Sequence, residues 1–566
     1  MEGGDFRALL RLRSPHRPGA GLRFLRACGG VWLACGWRVV VVFGSRDSQK
    51  VPPIAQYLLY HVTLCDVLLP VRCFTPFLTN FAPVLFGRPP ASALKDALAN
   101  LSQLSSLAQL RRVFGCYFPA ALLAPTASGQ NSRKRIFSLE VVFWSFLDQV
   151  QNPASSCREA VRKLMAYVRL DFPGAENGTI SADCAGYCQA RARIPLGVID
   201  QVHAHLVERM QKHIPHAAHW HGRHVKLVDG TGVSMPDTPE NQERWPQTAG
   251  QKPGCGFPAM NLVGVFCLVT GALIHFATGS HHDHETLLFQ SLWWHFGKGD
   301  LLVADRGYCS FGTFASLLAR GSDVLMRLPE KRLRQALSSK LPSSDAFDVT
   351  VDWTRPSQRP DSMRPEQFDL LPSSIPVRVI RYTHSRRGFR TLSVTLVTTV
   401  LDPGIAPAEF AELYFRRWGI ELHFRELKTF LKMDVLRCLT PHMIEREVRM
   451  HFVAYNLIRC VMQTAALTHH TELRRVSFKG AMDTVRQFAN AAQGAGNRPK
   501  TIAALVDEML HAIALDLVPH RPGRSEPRAV KRRPKNHQRL TRPRRQMGNL
   551  PHRNTATSKR PKQPLS

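Results

Sequence analysis

An α/β fold built on a mixed sheet around one acidic centre is what three features of this 566-residue chain predict. Two short apolar runs each end in an aspartate with a glycine just beyond: His224-Val-Lys-Leu-Val-Asp229-Gly-Thr231 and Leu301-Leu-Val-Ala-Asp305-Arg-Gly-Tyr308. β-type segments separate and follow them in an order that makes the first and fourth strands neighbours. A later helical stretch, Tyr414 to Lys428, carries Tyr414, Arg417, Glu421 and Lys428 at regular intervals.

The elements follow in chain order. Residues 1–90 form an atypical N-terminal extension, rich in Arg and Gly and expected to be poorly ordered. Its apolar run from Val31 to Phe43 is interrupted by Arg38 and is too short to span a bilayer, which takes about 20 residues; it is a poor signal peptide as well. Residues 91–215 read as an all-α module. Leucines at threes and fours mark Ala93 to Leu110, and helices are expected over Phe137–Val150, Ser156–Val168, Ser181–Arg193 and Pro195–His213. Ser156 and Glu159 stand at capping-box spacing.

Residues 216–470 carry the sheet. The apolar run from Val225 to Val228 is a first strand, and Asp229-Gly reads as its terminus or a turn. Asn261–Thr270 and Ala272–Ala277 form a hairpin about Gly271, Leu301–Asp305 is the fourth strand, Phe311–Arg320 a helix and Asp323–Leu328 the fifth strand. Three strands followed by strand-helix-strand is the order of a ribonuclease-H-like sheet. The 116 positions from Asp305 to Glu421 exceed what one helix and its connections need. Phe347–Trp353, Val377–Tyr382 and Leu392–Thr398 are β-branched or alternating, so a β-rich insertion is expected at about 330–402. Long helices follow at Ile444–Thr464 and Lys500–Leu517. Residues 471–519 are a C-terminal helical region and 520–566 a disordered basic tail; from 521 it holds fifteen Lys and Arg against one acid.

An α-helix turns about 100° per residue, so offsets of three, seven and fourteen from Tyr414 fall within a stripe about 60° wide. A phenol, a guanidinium, a carboxylate and an ammonium then line one groove, while Leu413, Ile420, Leu427 and Leu431 hold the helix to a core. A carboxylate between fixed cations suits a metal-dependent enzyme acting on a phosphate backbone. Helical Glu and Lys are more often solvated; the two strand-end aspartates tip the balance.

In these motifs the chain resembles the DDE transposases of insertion sequences, specifically the IS-four family, which carries a Tyr-Arg-Glu-Lys signature at this spacing. The resemblance runs from about Arg133 to Thr464 and includes Glu243-Arg-Trp-Pro-Gln-Thr and Gly254-Cys-Gly-Phe-Pro258. It implies that Asp229, Asp305 and Glu421 are catalytic and bind two Mg2+ ions, with Mn2+ able to substitute. It implies that Tyr414, Arg417, Lys428 and Arg306 contact DNA near the scissile phosphate. Lys428 stands two turns beyond Glu421, within reach of a phosphate and too far to bind the same ion. By the same resemblance an aromatic of the insertion takes up a flipped base; Trp353 is the candidate, its other reading an ordinary strand tryptophan. The helical module would recognise terminal inverted repeats, or else brace the sheet. The implied activity is cut-and-paste transposition, with transposon ends and target DNA as partners and a homodimer in the DNA complex.

Composition agrees with a polyanionic partner: net charge is +32 and pI about 10.3. The thirteen cysteines are scattered and odd in number, with no Cys-x-x-Cys, which argues against structural zinc and for reduced thiols in the cytoplasm; the resemblance implies a bacterial protein at the nucleoid. His281-His-Asp-His-Glu285 has the look of a metal-ligand set, but reads more simply as the loop and helix start after the third strand, with Asp283 or His284 near substrate. No Gly-x-x-x-x-Gly-Lys-Ser/Thr loop occurs, so nucleotide hydrolysis is not indicated, and no membrane partner is. Two alternatives stay open: a catalytically idle transposase-derived DNA-binding protein, and a metal-dependent nuclease on the same fold.

Overall fold

The computed structural model describes residues 8–13, 38–43 and most of 117–519, leaving out 125–136, 172–182, 330–341, 385–391, 492–498 and a few single positions. The predicted helix Ala93–Leu110, the tail from 520 and most of the 1–90 extension lie outside the described residues. Two compact units divide the chain, Met1–Ala97 and Leu98–Ser566. In the first, β1 (Ala8–Arg13) pairs antiparallel with β2 (Arg38–Phe43), so the valine run after Arg38 forms a strand.

The second unit is built on a mixed sheet. Its strands are β3 (His224–Ser234), β4 (Ala259–Cys267), β5 (Leu273–Ser280), β6 (Asp300–Ala304), β7 (Asp323–Arg327), β8 (Phe347–Thr354), β9 (Ser374–His384) and β10 (Leu392–Thr398). They lie in the order β5-β4-β3-β6-β7-β10-β9-β8. The first five have the order expected of a ribonuclease-H-like core, with β3 parallel to β6 and β6 parallel to β7. Gly271, at φ +68°, makes the tight β4–β5 turn that a side chain would strain.

The insertion extends the same sheet. β10 pairs antiparallel with β7 and then with β9, which pairs with β8, so the catalytic sheet and the insertion share one ladder.

One strand boundary departs from expectation. Asp229 is not a terminus: β3 runs on to Ser234 because β4 pairs with it all the way to Ser234↔Ala259. The parallel partner β6 stops opposite Val228, at Ala304. Past that point β3 gains a different neighbour, the segment around Val435, where the Leu436 amide donates to the Ser234 carbonyl at 2.8 Å.

Among the described residues the helices of seven or more residues are α1 (Leu139–Gln151), α2 (Cys157–Asp171), α3 (Ala185–Ala192), α4 (Leu196–Lys212), α5 (Phe311–Leu318), α6 (Pro407–Arg416), α7 (Gly419–Arg425), α8 (Pro441–Thr468), α9 (Phe478–Ala491) and α10 (Pro499–Leu515). Their starts are chemically marked. Ser156 Oγ accepts the Glu159 amide at 3.1 Å, and Pro195 precedes α4. Helix α9 lies within the C-terminal region 471–519 expected to be helical, though no bounds were expected for it.

Helix α8 is the hub. Phe452, Val453, Leu457 and Val461 are fully buried or nearly so, and it packs against α1, α4, α9 and α10. Each such side chain contributes about 1.5–3 kcal/mol. Asn456 joins it to the sheet: its Oδ1 accepts the Leu273 amide at 2.9 Å and its Nδ2 donates to the Leu273 carbonyl at 2.8 Å. The helical lobe therefore braces one sheet face, whose core residues include Leu227, Val303 and Leu325; Val228, Ala304 and Met326 face the opposite core with α5. Among the described residues no helix is long and apolar enough to cross a membrane.

Candidate active site

Alternation along a strand decides where the two aspartates point. Val225 and Leu227 of β3, like Leu301 and Val303 of β6, belong to the core on the α8 side. Asp229 and Asp305 continue those two odd-numbered rows, just past the last parallel pair, Val228↔Ala304. Neighbouring strands are about 4.8 Å apart, so the two carboxyl groups start side by side on the face where the Glu421 segment packs. Ile420, Phe424 and Leu427 seal that segment into the same core, and α7 packs on β3.

The electrostatics record the crowding. Burial pushes the Asp229 carboxyl up to about 6; the Gly230 amide, which donates to its Oδ1 at 2.9 Å, and Arg417 oppose the rise, while Glu285 and Asp305 add to it. Burial likewise pushes the Tyr414 hydroxyl up to about 12, opposed by Arg417 and Arg327 and reinforced by Asp305. Tyr414, Arg417, Asp229 and Asp305 thus share one neighbourhood. Arg417 is 5% exposed, its guanidinium 4.9 Å from the Trp418 ring and 5.6 Å from that of Tyr414. Its Nε meets no hydrogen-bond acceptor.

The stripe from Tyr414 to Lys428 is not one continuous α-helix. α6 ends at Arg416, and amide-to-carbonyl bonds of i→i+3 type tighten the joint: Arg417 to Tyr414, Ile420 to Arg417 and Glu421 to Trp418. After α7 a π-turn spans Glu426–Phe430, with the Leu431 amide reaching back to the Glu426 carbonyl at 3.2 Å. Angles taken from a uniform helix therefore fail at both ends. Glu421 stands exposed in the first turn of α7. Lys428 Nζ is turned onto β3, donating to the Gly232 carbonyl at 2.7 Å and to Thr231 Oγ1 at 3.1 Å.

Arg306 is exposed beside Asp305. Trp353, the candidate for a flipped base, is 3% exposed and meets Phe311 and Phe314 edge-on at 6.0 and 5.3 Å. Its position is that of a core tryptophan, because the β8 residues on its face close over α5.

Sequence reasoning missed Glu285 as a neighbour of the centre. A Cβ on Gly230 would lie 2.3 Å from the Glu285 carboxyl carbon, so only glycine lets that carboxylate approach the strand beside Asp229. Tyr308, three residues past Asp305, donates its hydroxyl to Glu285 Oε2 at 3.3 Å. Glu285 opens the short helix Glu285–Gln290 after the histidine loop, as that loop was read, and a cleft of about 360 Å3 lies between the loop, Asn261, Gly307 and Tyr308. The glycine after Asp229 was the available signal.

Comparison with known proteins finds the same resemblance. Residues 220–457 match the family described as "Transposase DDE domain", a span that holds all three predicted acids. The chain is 26% identical over 449 residues to the transposase InsG for insertion sequence element IS4 of Escherichia coli (strain K12), covering 78% of this chain and 96% of that protein. Both matches make the chain similar to DDE transposases of insertion sequences, the group its motifs resemble. A putative transposase for insertion sequence element IS4SA of Synechocystis sp. (strain ATCC 27184 / PCC 6803 / Kazusa) is 20% identical over 192 residues, 34% of this chain and 49% of that one. Among solved structures, a cryo-EM structure of the piggyBac transposase synaptic complex with hairpin DNA matches at a TM-score of 0.38 and 10% identity, covering 76% and 87% of the two chains. At that score the fold assignment rests on the strand order itself.

Transposases of this family use divalent metal ions. The donor set here suits a hard cation: Asp229 and Asp305 offer carboxylate oxygens from adjacent strands, with Glu285 close to Asp229. Among the described residues no three acids, histidines or cysteines are gathered closely enough to hold an ion unaided. Mg2+ commonly takes its remaining ligands from water and substrate phosphates.

Proposed function

We propose that this chain is a transposase that cuts and joins DNA by a two-metal mechanism, with Asp229, Asp305 and Glu421 as the metal-binding acids and Mg2+ as the ion. The observation that carries the reading is the parallel β3–β6 register, which supports a juxtaposition of Asp229 and Asp305 on the face against which the Glu421 segment packs. Bound divalent ions would supply charge stabilisation at the attacking and leaving oxygens.

The chain's own residues do the rest. Asp229 must be ionised to bind a cation; Arg417, beside it, favours that form. Tyr414 feels the Asp305 charge and Arg417 acts on Asp229, so the two would hold a phosphate next to the acids. Arg306 extends this basic rim, while Lys428, anchored to Gly232, presents an ammonium further along β3. The apolar seal of Ile420, Phe424 and Leu427 keeps water from reaching the centre through the α8 side. Helices α1 to α4 belong to the segment assigned to recognition of terminal inverted repeats, and pairing of two ends calls for two protomers.

The test uses purified protein and a duplex carrying the element's end. Mg2+-dependent nicking at the end, followed by joining to a target plasmid, is the expected result. Cutting without joining would make this a nuclease. Binding without either would make it an idle DNA-binding protein.

A further inference from the structure

Five residues beyond Glu421 stands a charged group that the chemistry above does not use. Glu426 begins the π-turn and, with 14% of its side chain exposed, pairs with Arg459 of α8, which is 5% exposed. Arg459 Nη2 donates to Glu426 Oε2 and also meets His423 Nδ1 at 2.8 Å. Its Nε donates to the Tyr455 hydroxyl at 3.1 Å, and that hydroxyl in turn donates to the Gly271 carbonyl at 2.7 Å. His423 stacks on Phe266 of β4 with ring centroids 5.4 Å apart. A Cβ at Gly271 would come within 2.8 Å of His423 and 3.0 Å of the Arg459 guanidinium, so the β4–β5 turn closes directly over the pair. Three elements meet here: the helix that bears Glu421, the hub helix α8 and the hairpin next to β3.

We propose that the Glu426–Arg459 pair, with His423 and Tyr455, is a register lock that positions Glu421 against the two aspartates. Breaking a buried ion pair is costly, yet replacing both partners by apolar groups is often neutral for stability, and the best-attested service of such pairs is to select one register. The local geometry calls for that service. A π-turn is intrinsically rare and recurs at functional sites; here it starts at Glu426, whose side chain is pinned by Arg459 and whose carbonyl takes the Leu431 amide. The extra residue in that turn is what brings Lys428 onto Gly232 of β3, two positions from the strand glycine next to Asp229. Slipping back to α geometry would rotate everything beyond Glu426 by about 100° and loosen the turn that precedes it. Glu426 and Arg459 touch no reacting atom; they act through Glu421.

The proposal rests on Glu421 being a catalytic acid, and the experiment separates the two claims. Three full-length variants are compared with wild type: Glu421→Gln, Glu426→Gln, and the apolar double variant Glu426→Leu with Arg459→Met. Each is assayed for binding to an end duplex, thermal midpoint, and end cleavage with Mg2+ and with Mn2+. Glu421→Gln should bind and not cut with either ion; if it cuts, the catalytic assignment itself fails. The double variant should keep wild-type binding and midpoint while cutting about 100-fold more slowly in Mg2+, the cost of misplacing a reacting group by roughly 1 Å. Mn2+, which tolerates looser geometry, should recover at least tenfold of that loss. Glu426→Gln, still able to accept from Arg459, should fall between the double variant and wild type. A double variant that folds, binds and cuts at the wild-type rate overturns the proposal, and so does a loss of rate that follows the loss of midpoint with no recovery in Mn2+. Should the double variant not fold, Glu426→Gln decides alone by the same criterion.

Discussion

Asp229 and Asp305 reach their places by a different physical route from Glu421. The aspartates ride on adjacent parallel strands, where backbone hydrogen bonds fix neighbour, spacing and face together. Shifting β6 by one residue would send its whole hydrophobic row to the wrong core, so the ladder is held as strongly as the core itself. Glu421 rides on helical segments interrupted twice, and its position comes from side chains: Ile420, Phe424 and Leu427 in the core, Lys428 on β3, Arg459 on Glu426. One half of the centre is written into the backbone, the other assembled by packing. Single side-chain changes should therefore leave the first half standing and disturb the second.

The largest effect expected is on the chemistry itself. Glu421→Gln should lower end cleavage on the order of 10³-fold or more, with binding in a gel shift unchanged. Equal loss of binding would mean that Glu421 supports the fold. The strand half is best attacked through its backbone. Gly230→Ala puts a methyl group 2.3 Å from the Glu285 carboxyl carbon. Cleavage should fall roughly 100-fold with the circular dichroism spectrum unchanged, and adding Glu285→Ala should restore most of it. If the second change restores nothing, the clash is not the cause.

A titration sharpens the same contrast. Burial raises the Asp229 carboxyl to about 6, so metal uptake must displace its proton below that pH. Mn2+ affinity, measured by calorimetry, should drop about tenfold per pH unit below about 6, and Asp229→Asn should flatten that dependence. The sign for stability is opposite: a raised carboxyl favours the protonated folded state. Without metal, the Asp229 contribution is full at low pH and declines as pH rises from about 4 through about 6. A metal-free thermal midpoint that rises over that window specifically through Asp229, as judged against Asp229→Asn, would sink this account.

The smallest effect belongs to Lys428. Lys428→Ala should weaken end binding several-fold and reduce the salt slope of binding by about 1, as loss of one phosphate contact does. A larger loss of cleavage than of binding would place its main duty on the Gly232 carbonyl, as part of the helix anchorage.

How much was legible in the sequence follows the same division. Apolar runs with β-branched residues located every strand of the sheet, including the three of the insertion, because a period of two survives any tertiary context. The end of β3 was misjudged: Asp-Gly reads as a turn, yet Gly230 is there to admit the Glu285 carboxylate. Trp353 shows the converse limit. Nothing local distinguishes a tryptophan open to a base from one closed over by Phe311 and Phe314.

The sequence by itself determined the order of strands, the positions of the two aspartates at or near strand ends, the Tyr-Arg-Glu-Lys spacing and the resemblance to a family, since each is a matter of residue type at a fixed separation. Only the tertiary structure decided that the signature helix breaks at Trp418 and bulges at Glu426, that Glu285 stands beside Asp229, and that Arg459 pairs with Glu426. Those contacts join residues tens to hundreds of positions apart, and a helix departs from its ideal period only where distant side chains hold it there.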